Sequence, residues 1–514
     1  MNIDKIIIHL ARTDEGNPLF ADLAGRSLSA PSFANRVRQM VSGLRRLGLK
    51  PGAKVALLAL NSIEYAETIC GTICAGMVTV PLNIRWSPKE LAFAIEDAGV
   101  EALIVDDNFL PTVPTIQSLT RQIKIVAHIG LADTPHSAVK YEELFDSYAD
   151  LDPDRNPATE CLISYTGGTT GFPKGVVHTH ASLLASAGNM AINGTPSKGA
   201  TYLIGVPMFH ISGFGFLFAR LLQNETLAIV PLFRPDLVIA AVKSLKVDEI
   251  GLVPTMLQML MADPDFDAKD FQNIKRIYYG ASPITEALLT QVMDAFKGAE
   301  MVQLYGMTEV GVICFLGPQF HCGPLARLAA AGQEGPLARI QIEDENGNEV
   351  ANGEAGEVVI YGTSVMARYH DRPEQTEEAI RNGGLRSGDV GYKDELGVIF
   401  LLDRVKDMIV SGGENVYSAE VENAIASHPD VALVAVIAIP DEKFGEAVHA
   451  VIVAKNGREP TFESIREHAK EMISGYKCPR SIELIDEMPL SAMNKVLKTE
   501  LRKPHWKSIG DIKR

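Results

Sequence analysis

From about residue 54 to 310, short unbroken apolar runs alternate with stretches in which apolar residues recur every third or fourth position. The runs at 55–60, 102–105 and 276–279 predict strands, and the periodic stretches at 63–75, 89–98 and 285–296 predict helices. Strands and helices taken in turn predict α/β layers with a mainly parallel sheet. In the last of these helices Leu288, Leu289, Val292, Met293 and Phe296 fall on one stripe, and Ser282 before Pro283 predicts its start.

Between about 322 and 403 the pattern changes to strands punctuated by glycine (339–342, 357–361, 398–403), which predicts a small β-subdomain. Beyond 405 it returns to α+β alternation, with a helix from about 418, a strand at 431–438 and a basic tail. The fold expected is therefore α/β, with a large N-terminal domain over 1–404 and a small C-terminal α+β domain over 405–514. The uncharged window 199–219 approaches membrane length, but Pro207, His210 and its glycines make it a strand, loop and helix within a globule.

Composition narrows the classes. With 48 Lys plus Arg against 64 Asp plus Glu, the net charge of -16 disfavours a nucleic-acid partner. Six cysteines in 514 residues, none in a CxxC pair, indicate neither a disulfide framework nor a zinc site. The first residues carry Asp4, Lys5 and His9 around a short Ile run, which is no export signal, so a cytoplasmic protein is expected. No heptad pattern fixes the oligomeric state, and a homo-oligomer is compatible with the sequence.

The stretch richest in chemistry is Tyr165-Thr166-Gly167-Gly168-Thr169-Thr170-Gly171-Phe172-Pro173-Lys174-Gly175, after the apolar run 161–164. Glycines let backbone N–H groups converge on an oxyanion, threonine hydroxyls add donors, and Lys174 adds a mobile positive charge. It lacks the Gly-Lys-Ser/Thr adjacency of a Walker loop, and Gly213-Phe214-Gly215 lacks the third glycine of a dinucleotide fingerprint. His178 and His180, at i and i+2, have the spacing of ligands on one strand face, but no cysteine or carboxylate cluster accompanies them.

In these stretches the chain resembles the adenylate-forming superfamily, in its acyl-CoA synthetase and acid-CoA ligase branch. The resemblance spans nearly the whole chain. Further matching stretches follow in order: Pro207-Met208-Phe209-His210, Gly280-Ala281-Ser282-Pro283, Tyr305-Gly306-Met307-Thr308-Glu309, Ser387-Gly388-Asp389, Asp403-Arg404-Val405-Lys406-Asp407, Ser411-Gly412-Gly413-Glu414-Asn415 and Asn494-Lys495-Val496-Leu497-Lys498. Gly168 stands where many relatives have Ser, and Asn494 where they have Gly.

The resemblance implies ATP, Mg²⁺ and coenzyme A as reactants, with a carboxylic acid joined first to AMP and then to the thiol. It implies catalytic roles for Lys495, Thr308, Glu309 and Lys174, with Glu309 a hard oxygen ligand for Mg²⁺. It places Thr166, Gly167, Gly168, Thr169, Thr170, Gly171, Gly280, Ala281, Ser282, Tyr305, Gly306, Asp389, Arg404 and Asn415 around the nucleotide. Tyr305 offers a ring for adenine, while Asp389 and Arg404 serve the ribose. Lys406 is the hinge of a mobile C-terminal domain, and Gly412 and Gly413 border the pantetheine tunnel. For the basic tail (Lys498, Arg502, Lys503, Lys507, Lys513, Arg514) a solvated or interdomain face is favoured over contact with CoA phosphates.

The acyl group is read from His210, Ser212, Gly213 and Gly215. By itself His210 is either a hydrogen-bonded core histidine or a pocket residue; the resemblance places it on the acyl pocket. The small residues predict an uncharged, deep pocket, suited to a medium- or long-chain fatty acid, with an arylpropenoic or benzoic acid as the alternative. Ile211 and Ser212 stand where amino-acid-activating relatives place an acidic residue, no carrier segment follows residue 514, and the ending Ile512-Lys513-Arg514 is no peroxisomal address. A stand-alone adenylating or nucleotide-binding protein without CoA transfer is the reading from another class, and the presence of Lys174, Glu309 and Lys495 opposes a dead enzyme.

Overall fold

The computed structural model describes residues 1–13, 16–166, 173–193, 199–404, 407–411, 414–441, 443–491 and 496–506. Two α/β sheets form the large N-terminal part. In one, Glu160–Thr166, Val78–Pro81, Lys54–Leu58, Val100–Asp106, Ile125–Ile129 and Val139–Lys140 run parallel in that spatial order. Lys174–Thr179 and Arg368–Tyr369 extend it antiparallel. In the other, Glu300–Met307, Arg276–Gly280, Glu249–Leu252, Thr201–Ile204, Thr226–Ile229 and Phe20–Asp22 are parallel, and Gly311–Leu316 turns back beside Glu300–Met307. The helices Ile63–Cys74, Ile211–Gln223 and Ala30–Arg46 supply side chains to one large apolar core.

The β-subdomain is antiparallel, with Arg339–Glu343, Gly356–Tyr361, Gly384–Lys393 and Ile399–Arg404. After Arg404 a smaller α+β unit has its own sheet (Glu414–Val416, Ile409–Ser411, Gly445–Ala454, Val431–Asp441, with Ser481–Leu484 parallel to Gly445–Ala454) and its own core. The fold is thus the α/β arrangement expected, with a smaller C-terminal α+β part. Among the described residues no helix is long and apolar enough to cross a membrane. All six cysteines are unpaired; five are buried and Cys322 is exposed.

One expected boundary is corrected. The helix predicted to start at Ser282 and Pro283 runs Glu286–Ala295, and Thr285 caps it, its side chain accepting the Leu288 amide at 3.2 Å. The chain reverses first: Ala281 has φ 65° and Gly280 φ 154°, and a Cβ on Gly280 would lie 2.0 Å from the Leu304 carbonyl. A left-handed alanine costs about 1–2 kcal/mol, and it displaces the helix start toward Thr285.

Candidate functional site

Of the residues singled out from sequence, Thr166, Lys174, Gly280, Tyr305, Gly306, Thr308 and Glu309 lie at or just beyond strand ends of the two α/β sheets, and Tyr305 reaches Asp389 of the β-subdomain. Thr166 and Lys174 are cross-strand partners at the close of an antiparallel pair, so residues 167–173 form the connection between them. Gly280, paired with Leu304, ends its strand beside Tyr305 and Gly306. Thr166 and Gly280 are carboxyl ends of strands, the edge at which open α/β sheets bind ligands, and Lys174 begins the antiparallel strand that returns from it.

Thr308 and Glu309 sit in the tight connection between Glu300–Met307 and Gly311–Leu316. Both Thr308 and Glu309 are held through their carbonyls. His178 Nε2 donates to the Thr308 carbonyl at 2.7 Å, and the Met366 amide donates to that of Glu309 at 2.7 Å. Gly306 must be glycine here, since a Cβ would lie 2.0 Å from the Gly311 carbonyl. The Glu309 side chain is buried, and Tyr369 donates its hydroxyl to Oε1 at 2.7 Å. Lys174 Nζ lies 5.3 Å from the centre of the Tyr369 ring, so one tyrosine joins the base of the phosphate loop to the carboxylate. Burial, with Glu309 next to it, raises the Tyr369 pKa well above the ordinary phenol value.

A hydrogen bond from a neutral hydroxyl to a carboxylate is worth about 1.5–3 kcal/mol. Tyr369→Phe is therefore expected to lower kcat/KM for the Mg²⁺-nucleotide about tenfold or more and to raise the Mg²⁺ concentration needed for half-maximal rate. Unchanged Mg²⁺ dependence in steady-state assays would remove Tyr369 from this role.

On the other side of the site Asp389 and Arg404 are cross-strand partners, and Arg404 Nε lies 2.9 Å from Asp389 Oδ1. Tyr305 donates its hydroxyl to Asp389 Oδ2 at 2.6 Å. Burial and the adjacent Asp389 carboxylate push the Tyr305 phenol well above its usual range. Asp389 is buried, its amide bound to Ser387 Oγ at 3.0 Å, and Gly388 takes φ 71° to make the bend. A carboxylate has about four lone-pair positions, and two of them are used here. The other two remain to accept further donors, and the Tyr305 ring is fixed by its own hydroxyl.

His178 and His180 do not converge as ligands. His178 bonds the Thr308 carbonyl and, through Nδ1, Ser182 Oγ at 3.1 Å, whereas His180 Nδ1 accepts the Ile3 amide at 3.2 Å. Burial lowers each pKa from the ordinary 6.5 to about 4. As pH falls from 6.5 toward 4 the unfolded chain takes up these protons and the folded chain does not. The stability they contribute is complete above 6.5 and is lost progressively down to about 4, on the order of 2–3 kcal/mol for each. Urea midpoints should fall steeply between pH 7 and 4.5, and His178→Asn should flatten that slope; an identical slope in the variant would contradict the assignment.

The residues expected at the acyl pocket, Ser212, Gly213 and Gly215, lie on the first turns of Ile211–Gln223, which His210 precedes as N-cap. Ser212 Oγ is buried with no hydrogen-bond partner among the described residues. A Cβ on Gly213 would meet the Pro207 carbonyl at 2.6 Å and Met208 Cα at 2.7 Å, and one on Gly215 would meet Met190 Sδ at 2.8 Å. Here the physical reason given from sequence is corrected: the space beside both glycines is filled by Pro207, Met208 and Met190, so they serve close packing rather than depth.

In the C-terminal part Asn415 is exposed and pairs with Val410. Gly167, Gly168, Thr169, Thr170, Gly171, Lys406, Gly412, Gly413 and Lys495 lie outside the described residues, as do Lys507, Lys513 and Arg514 of the tail. Leu490 and Val496 are bridged, and Arg85 Nη1 donates to the Ser491 carbonyl at 3.0 Å. The ring of the next residue, Trp86, lies edge-on to Tyr165, next to Thr166, at 6.3 Å. Lys498 pairs with Glu422 at 2.6 Å and Arg502 with Asp407 at 2.8 Å, so these two tail residues are held by carboxylates of the C-terminal part itself rather than on a solvated or interdomain face.

Tyr369, His178 in its clamping role, and Arg85 were not found from sequence. Each acts through a contact between residues far apart in the chain, and none belongs to a local pattern of glycines and charges.

This arrangement matches the AMP-binding enzyme family over residues 9–370 and the AMP-binding enzyme C-terminal domain over 420–495. The chain is 34% identical over 495 residues to a fatty acid-[acyl-carrier-protein] ligase, ScoC, of Streptomyces coeruleorubidus, covering 94% of this chain and 92% of that protein. It is 33% identical to a feruloyl-CoA synthase of Amycolatopsis sp (93% and 94% covered) and 33% identical to the long-chain-fatty-acid-CoA ligase FadD13 of Mycobacterium tuberculosis (93% and 92%). Among solved structures, ATP-bound MatB from Rhodopseudomonas palustris superposes with a TM-score of 0.87 at 25% identity, over 99% of this chain and 100% of that one. The chain belongs to the AMP-binding, adenylate-forming enzyme family.

Proposed function

We propose that this enzyme, an AMP-forming acid-CoA ligase working with ATP, Mg²⁺ and coenzyme A, activates an apolar monocarboxylic acid, a medium- or long-chain fatty acid. The observation that carries the reading is residues 209–218, which contain no Lys, Arg, Asp or Glu, while the helix Ile211–Gln223 is buried along nearly its whole length. A second charge on the acid would be desolvated without a partner there, at a cost of several kcal/mol.

The carboxylate attacks the α-phosphate of ATP and expels pyrophosphate, and a thiol then displaces AMP. Charge develops on phosphate oxygens in the first step, so fixed donors aimed at them lower the barrier. Thr166, Gly167, Gly168, Thr169, Thr170 and Gly171 with Lys174 would hold the phosphates, Thr308 would donate to the α-phosphate, and Lys495 would bridge carboxylate and α-phosphate. Gly280, Ala281, Ser282, Tyr305 and Gly306 would frame the adenine, Asp389 and Arg404 the ribose, and Asn415 the adenylate phosphate. Mg²⁺ neutralises phosphate charge when bound, and the Glu309 carboxylate, oriented by Tyr369, is the hard oxygen donor suited to it. His210 and Ser212 would face the acyl chain.

Residues 1–404 and 405–514 would act as two bodies that turn about Lys406 between the half-reactions, bringing Gly412 and Gly413 to the pantetheine path. The unpaired cysteines support a reducing, cytoplasmic setting. An aryl acid is the second reading, favoured by the feruloyl-CoA synthase relative.

The test is kcat/KM across acetate, octanoate, dodecanoate, ferulate, coumarate and succinate. At about 0.8 kcal/mol for each buried methylene, kcat/KM should rise roughly threefold to fourfold per carbon until the pocket fills, with succinate poor. Ferulate or coumarate well above octanoate and dodecanoate would select the aryl reading, and a preference for acetate would overturn the apolar pocket.

A further inference from the structure

The C-terminal part carries a cluster that none of this chemistry uses. His449 on the strand Gly445–Ala454, Glu483 on Ser481–Leu484 and His505 on the helix Lys498–Trp506 turn one ligand atom each toward a common point, all within 4.8 Å of one another. His449 is 4% exposed, and its Nε2 is buried with no hydrogen-bond partner. His505 Nε2 is likewise buried and unpartnered. Two orphaned imidazole nitrogens in one place are costly unless something accepts their lone pairs.

Their spacing says what that is. Glu483 Oε2 lies 3.7 Å from His449 Nε2 and 3.6 Å from His505 Nε2, too far for hydrogen bonds. Ligand atoms on a tetrahedral ion with bonds of about 2.0–2.2 Å lie roughly 3.3–3.6 Å apart. His449 Nδ1 has an outer partner, Ser481 Oγ at 2.7 Å, a hydroxyl able to accept the Nδ1 proton of the tautomer whose Nε2 lone pair is directed at the cluster. Such an outer partner is the usual accompaniment of a metal-bound imidazole. The third arm is anchored, since Trp506, next to His505, donates from Nε1 to the Ala438 carbonyl at 3.0 Å.

We infer that His449, Glu483 and His505 form a binding site for a divalent transition-metal ion of the zinc type, with the fourth position left to water. Two imidazoles and one carboxylate suit Zn²⁺ or Co²⁺ far better than Mg²⁺. The ion would tie two strands to the helix that follows the Lys495 segment. The site is separate from Glu309 and stands whether or not the acid is a fatty acid.

The experiment uses tag-free full-length protein, stripped with a chelator, dialysed, and titrated with Co²⁺ in excess Mg²⁺. One equivalent should give the visible absorption of tetrahedral Co²⁺, and Zn²⁺ should abolish it. His505→Gln and Glu483→Gln, at partly exposed positions, should bind at least tenfold more weakly while keeping the wild-type circular dichroism and pyrophosphate release. Zn²⁺ should raise the unfolding temperature of wild type and not of the variants. Absence of saturable uptake by wild type, or equal affinity in wild type and both variants, would overturn the site.

Discussion

Lys495→Ala is expected to lose about 10²–10³-fold in acid-dependent pyrophosphate release, the loss seen when one fixed donor to a transition-state oxyanion is removed. Thioester formation from preformed acyl-adenylate should stay near wild type, because the proposed rotation takes Lys495 away before the thiol attacks. Ser491, the last described residue before it, accepts from Arg85 at its carbonyl, and Trp86 next to Arg85 lies edge-on to Tyr165. Equal losses in both half-reactions, measured by quenched flow, would contradict the two-state use of this domain.

The second large effect is expected at Asp389. It accepts from Tyr305 and forms an ion pair with Arg404, so Asp389→Ala leaves a buried phenol and a guanidinium without their partner as well as removing the proposed ribose contact. One hydrogen bond to a charged group at about 1.5–3 kcal/mol, lost together with the ion pair and the proposed ribose contact, predicts a fall of roughly 10²-fold or more in kcat/KM for ATP. The readout that separates ribose recognition from structural damage is 2′-deoxy-ATP. Wild type should prefer ATP about tenfold, and the variant should lose that preference; an intact preference on a lower rate would assign Asp389 to structure alone.

What the sequence made legible was local and periodic. The strand at 276–279 is Arg276–Gly280, the helix at 63–75 is Ile63–Cys74, and the uncharged window 199–219 resolves into Thr201–Ile204 and the start of Ile211–Gln223. Period and apolar run length suffice for these, because each buries a face that must be continuous. The start of Glu286–Ala295 was missed by a few residues because a left-handed Ala281 leaves no compositional mark. Gly213 and Gly215 looked like pocket depth because a small residue reads the same from sequence whether it faces a ligand or a packed backbone.

The site itself divides along the same line. Asp389 and Arg404 each sit in a recognisable stretch, yet their ion pair follows from strand register, which no single stretch encodes. Tyr369 reaches Glu309, and His178 reaches the Thr308 carbonyl, only through the meeting of separate sheets. The same holds for His449, Glu483 and His505, which share no spacing that a linear pattern would flag.

The most direct test of the central claim is a single turnover with dodecanoate, ATP labelled in the α- and γ-phosphates, Mg²⁺ and coenzyme A, following labelled adenylate, AMP and pyrophosphate and the acyl-CoA in one time course. An acid-CoA ligase should release pyrophosphate first, pass through dodecanoyl-AMP, and deliver AMP and dodecanoyl-CoA in equal amounts. Dodecanoyl-AMP that accumulates and is left untouched by coenzyme A would contradict the account and assign the chain to adenylation without transfer to this thiol.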